Sequence, residues 1–83
     1  MANLFTGSIQ TNGDYVTLAS ATSLTFTEGN KYSIQVQNPA YLREGTTGKG
    51  FFVNSDVPIT YTATSDDLYI KTDFQSCIVN IAE

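Results

Sequence analysis

Residues 31–37 read KYSIQVQ, in which Tyr32, Ile34 and Val36 alternate with Lys31, Ser33, Gln35 and Gln37. In an extended chain successive side chains point to opposite faces, so this stretch predicts a strand with one face in a core and the other in water. The same period of two recurs on both sides of it. Upstream, Phe5 and Ile9 share a parity in LFTGSIQ, Val16 and Leu18 in YVTLA, and Leu24 and Phe26 in SLTFT. Downstream come GFFVN, PITYTAT with Ile59, Tyr61 and Ala63, LYIKT with Leu68 and Ile70, and CIVNIA with Cys77, Val79 and Ile81. No stretch shows the 3.6-residue period of an amphipathic helix. The expectation is all-β: one small antiparallel sandwich or barrel of about eight short strands, spanning residues 1–83.

Turn chemistry separates the runs. Asn12-Gly13 predicts a two-residue hairpin, because both central positions of a type I′ turn need positive φ. Glu28-Gly29-Asn30 predicts a second hairpin, and Ser65–Asp67 and Asp73–Ser76 two further turns. Pro58 stands at the head of its run, where a missing N–H is tolerated. The stretch 38–50, NPAYLREGTTGKG, lacks clean periodicity and holds three of the six glycines and two of the four cations, Arg43 and Lys49. It predicts a long functional loop. Tyr41, Leu42 and Arg43 would be its anchored part, contacting a neighbour, and Thr46 to Lys49 would order only on contact.

Composition narrows the function classes. An 83-residue chain buries only about 60% of its unfolded surface, so its core is small. Cys77 is the single cysteine and His is absent, so neither a disulfide nor an ordinary zinc site is available as a staple. Oligomerisation or docking onto a partner remains. A net charge of -4 argues against nucleic acid, which calls for a clustered basic face. Apolar runs such as FFV and CIV are too short to span a membrane, and MANLFTGSIQ lacks the basic and apolar regions of a secretory signal. Charged residues make up 14% of the chain, against about 25% in a typical soluble domain. Twelve threonines fill much of the gap. Such a surface is cheap to desolvate against another protein, and Thr also simply suits a pleated sheet.

No motif predicts catalysis. GTTGKG fails as a phosphate loop, with Arg43 where the pattern needs glycine and Gly50 where it needs Ser or Thr. Asp66, Asp67 and Asp73 match no calcium loop, and turn aspartates ordinarily bond their own backbone. Cys77 has no histidine to activate it and shares the inward parity of Val79 and Ile81. The chain therefore predicts no enzyme, no metal and no cofactor.

A second parity carries the interaction hypothesis. If Phe5, Val16, Ile34, Phe51, Ile70 and Val79 face inward, then Leu4, Tyr15, Phe52, Tyr69 and Ile78 face outward. Tyr41, Leu42 and Arg43 join them from the expected loop. Aromatics with an arginine are the composition of interface centres. The alternative is that some strands are covered on both faces by loops.

GNKYSIQVQNP and PITYTATSDDLYIKTDFQSCIVNIAE together resemble the small accessory virion proteins of tailed bacteriophages, the capsid decoration (cement) and head-fibre class. The likeness spans about residues 24 to 82 and is one of pattern: Thr-rich strands closing on a Leu-Tyr-Ile-Lys-Thr strand and a last apolar one. The resemblance implies a β-sandwich or barrel, commonly trimeric, seated on a capsid shell or in a fibre or tail. Its partners would be copies of itself and a larger assembly such as the major capsid protein, in a virion assembled in the host cytoplasm. The rival readings are a small carbohydrate- or receptor-binding β module and a phage-encoded inhibitor of a host protein.

Overall fold

The computed structural model describes residues 3–47 and 50–83. Its strands are β1 (Asn3–Ile9), β2 (Val16–Thr17), β3 (Lys31–Val36), β4 (Ala40–Glu44), β5 (Phe51–Val53), β6 (Ile59–Thr62), β7 (Leu68–Lys71) and β8 (Cys77–Ala82). A five-residue helix, α1 (Leu18–Thr22), follows β2. The strands form two four-stranded sheets, ordered β1-β8-β3-β6 and β2-β7-β4-β5. Every ladder is antiparallel.

The pairing is nested along the chain: β1 with β8, β2 with β7, β3 with β6, β4 with β5. One long antiparallel hairpin is thus folded over on itself, so that β8 also meets β3 and β7 meets β4. This wrapping is the double-sheet jelly roll. Its core is the inward parity of both sheets. Ile34, Val36, Val79 and Ile81 come from one sheet and Leu42, Val53 and Ile70 from the other, all at most 1% exposed. Cys77 is buried among them as a free thiol.

Several local expectations need correction. The stretch 38–50 is not one loop. Ala40–Glu44 is an interior strand of its sheet, hydrogen-bonded to β7 on one side and β5 on the other, and Leu42 lies fully in the core. Among the described residues, β4 and β5 are the one pair of successive strands that share a ladder. Thr46 and Thr47 are exposed, whereas Gly48 and Lys49 lie outside the described residues.

The turns form where expected but join different strands. Asn12 and Gly13 both adopt positive φ, 53° and 83°, and the Asp14 amide donates to the Thr11 carbonyl at 3.0 Å. That turn carries the chain from one sheet to the other and closes no hairpin. The turns at 65–67 and 73–76 also cross between sheets. The turn at 28–30 closes through the Asn30 amide on the Thr27 carbonyl, with Gly29 at φ 90°. It continues the β3–β6 ladder through Gly29 and Asn30, which bond the Ala63 backbone.

YVTLA is extended only over Val16–Thr17. Ala19 and Ala21 are strong helix formers, and Ser23 terminates α1 in the left-handed region at φ 61°. SLTFT belongs to no ladder, yet Leu24 and Phe26 still pack on the core. Phe26 meets Tyr32 edge-on at 4.9 Å between centroids. Phe51, expected inside, is 46% exposed. It opens a three-residue edge strand opposite Leu42, with no strand beyond it to pack against, and Val53 fills the core instead.

Candidate interaction face

The outer face of the β2-β7-β4-β5 sheet gathers residues from four places in the sequence. Strand parity puts Tyr69 and Lys71 of β7 outside when Leu68 and Ile70 are inside, and Tyr41 and Arg43 of β4 outside when Ala40 and Leu42 are inside. Register then sets neighbours: Tyr69 between Thr17 and Arg43, and Lys71 beside Tyr41, which faces Phe52 of β5. Tyr15 enters from the residue before β2.

These side chains stack on one another. The Arg43 guanidinium carbon lies 4.1 Å from the Tyr15 ring centroid and 5.3 Å from that of Tyr69. The Lys71 ammonium lies 5.2 Å from Tyr15 and 5.6 Å from Tyr41. Tyr41 and Phe52 meet edge-on at 5.4 Å. Each cation–π contact at a solvent-facing site contributes about 0.5–1 kcal/mol, so the cluster holds its own shape. Arg43 is fixed further by its Nε donating to the Gly45 carbonyl at 3.1 Å. Neither cation meets a carboxylate among the described residues.

Gly50 makes the close return into β5 possible. Its φ is 73°, and a Cβ there would stand 2.6 Å from the Tyr15 hydroxyl oxygen and 2.7 Å from the Leu42 carbonyl oxygen. Only glycine fits both the conformation and the space.

Of the expected interface residues, Tyr15, Tyr41, Arg43, Phe52 and Tyr69 come together on this face, with Phe52 51% exposed. Leu42 does not, being core. Leu4 and Ile78 are exposed but lie on the other sheet, towards opposite ends of the β1–β8 ladder. Lys71 was missed. Its shared parity with Tyr69 in LYIKT was the available signal. The other sheet presents a different outer surface, on which Thr6, Ser8, Ser33, Gln35, Thr60 and Asn80 add hydroxyls and amides and Lys31 adds one charge.

At the end where β6 hands over to β7, Thr64 Oγ1 donates to the Glu44 carboxylate at 2.6 Å and the Tyr61 hydroxyl donates to it at 3.4 Å. Burial first, and the Glu44 charge second, hold the Tyr61 phenol above its ordinary pKa. No protein-family model, curated protein or solved structure matches the chain.

Proposed function

We propose that this protein is a non-enzymatic structural virion protein of a tailed bacteriophage, which decorates and stabilises a capsid through homo-oligomeric protein–protein contacts. The observation that carries the reading is the pre-stacked face of Tyr15, Tyr41, Arg43, Phe52, Tyr69 and Lys71 on an otherwise Thr-rich domain. Tyr and Arg dominate the energetic centres of protein interfaces, and side chains already held in place lose little entropy on docking. The sequence pattern of accessory virion proteins supports the same reading. The jelly roll is compatible with it by analogy of fold alone, since viral capsid proteins and lectins both use that fold.

The mechanism is mass action. A protein that binds the assembled lattice, and not its separated subunits, stabilises the lattice by RT ln(1 + [L]/Kd). The rival carbohydrate reading is less well supported, because Arg43 and Lys71 already lie against the tyrosine rings on which a sugar would stack.

Mass spectrometry of purified particles from the encoding phage tests the assignment. The chain should be present at a copy number that is a simple multiple of the capsid symmetry, and its absence would refute the reading. On particles stripped of the protein, Tyr41→Ala/Arg43→Ala should rebind at least about tenfold more weakly than the parent, as truncating central interface residues does.

A further inference from the structure

A second surface complements the first. At the end of the sandwich where β4, β6 and β8 finish and β3 and β7 begin lies a cavity of about 230 Å³. Leu24, Phe26 and Leu68 supply apolar lining, and Thr64, Asp66 and Asp67 supply polar lining. Glu44 stands beside it, tied to Thr64. Glu28, in the turn before β3, and Glu83, bonded to Asn30 at 3.1 Å, belong to the same end. Five of the eight carboxylates are therefore gathered here, with Lys31 at the start of β3 and with Arg43 reaching the edge of the group through its bond to Gly45, whose amide donates to the Asp67 carbonyl.

An apolar floor with a carboxylate rim fits an aliphatic stem carrying a cationic head. The Asp66 and Asp67 side chains have no hydrogen-bond donor or cation partner among the described residues. The outer face of β2-β7-β4-β5 presents the complement. The Lys71 ammonium there lies over two aromatic rings and, unlike the Arg43 guanidinium, is tied by no hydrogen bond to the backbone among the described residues.

We propose that the cationic–aromatic face of one copy docks on the acidic end cleft of a second copy, with Lys71 directed at Asp66 and Asp67. The occupant is another copy because one chain carries both halves of the match: cations that meet no carboxylate on a face, and Asp66 and Asp67 that meet no cation over an apolar floor on an end. The contact is heterologous, so successive copies build a ring or an open array rather than a two-fold pair. It rests on the proposed function only in using the same face, and it gives the oligomer a defined geometry.

Charge exchange with light scattering tests it at low ionic strength, where the Debye length is longest. The parent should assemble, and added salt should dissociate it. Asp66→Lys/Asp67→Lys alone and Lys71→Glu alone should each be monomeric with parental circular dichroism, and Lys71→Gln replaces Lys71→Glu if that chain unfolds. An equimolar mixture of the Asp66→Lys/Asp67→Lys and Lys71→Glu chains should assemble again, and so should one chain carrying all three changes. A two-fold contact through the face alone would leave Asp66→Lys/Asp67→Lys assembling like the parent, and that result overturns the proposal. A monomeric parent, or a mixture that stays monomeric, overturns it too. A monomeric parent that still binds stripped particles would leave the capsid reading standing.

Discussion

The Thr11 hydroxyl exchanges two hydrogen bonds with the backbone of Thr72, 61 residues away: it donates to the Thr72 carbonyl and accepts from the Thr72 amide, each at 3.2 Å. Both residues are buried, at 2% and 0% exposure. The Thr72 hydroxyl in turn donates to the Pro39 carbonyl at 3.1 Å and accepts from the Phe74 amide at 3.2 Å. Three crossings between sheets, after β1, β3 and β7, are thereby pinned together by two threonine side chains. Cys77 and Asn38 extend the staple, the thiol donating to the Asn38 carbonyl and the Asn38 side-chain Nδ2 donating to the Ser76 carbonyl.

Thr11→Val keeps the shape of this residue and removes both bonds, leaving the Thr72 amide and carbonyl without their partner. The expected loss of stability is about 1–3 kcal/mol, the cost of orphaning buried polar groups. Urea unfolding measures it, and a change below about 0.5 kcal/mol, the range of an ordinary surface substitution, would show the network to be idle.

Leu42 separates an interior strand from a loop. Leu42→Ala should cost about 2–5 kcal/mol, as core truncations do. Phe52→Ala, one strand away on the outer face, should cost less than half as much. Equal losses in chemical denaturation would mean that β4 does not pack as described.

Gly50→Ala should destabilise the fold although it adds a single methyl group. The positive φ and the contacts with the Tyr15 hydroxyl and Leu42 carbonyl both oppose a Cβ. The expected loss is about 1–3 kcal/mol, from a strained backbone position and overpacking. Gly13→Ala supplies the control, since it has a similar φ and nothing within 4 Å of its Cβ position. It should lose less.

Tyr61 predicts a pH dependence at the alkaline side. Its folded pKa is raised above the ordinary 10.0 by burial and then by Glu44. Between the unfolded and folded values the native state holds the proton that the unfolded chain has released. The contribution is therefore complete below pH 10 and lost as pH rises through the folded value. Parent stability should fall more steeply above pH 10 than that of Tyr61→Phe, measured by urea midpoints across the range. Parallel curves would exclude Tyr61 as the source.

Sequence alone determined what depends on neighbours a few residues apart. The parity of Tyr32, Ile34 and Val36, of Leu68 and Ile70 and of Cys77, Val79 and Ile81 follows from the pleat. The same rule sent Tyr69 outward, and the positive φ of Asn12 and Gly13 follows from the short polar side chain of the one and the missing Cβ of the other. Strand partners were decided only by tertiary structure, because backbone N–H and C=O groups are the same at every residue and carry no address. The Asn12-Gly13 turn therefore reads identically whether it closes a hairpin or crosses between sheets. Leu42 was misplaced for the same reason: five residues between Pro39 and Gly45 show too little alternation to declare a strand. Only β7, reached 27 residues further along the chain from Tyr41 to Leu68, and β5 make that segment interior. The cationic–aromatic face is likewise a product of register, since Tyr15, Arg43 and Lys71 become neighbours only when three separate strands are laid side by side.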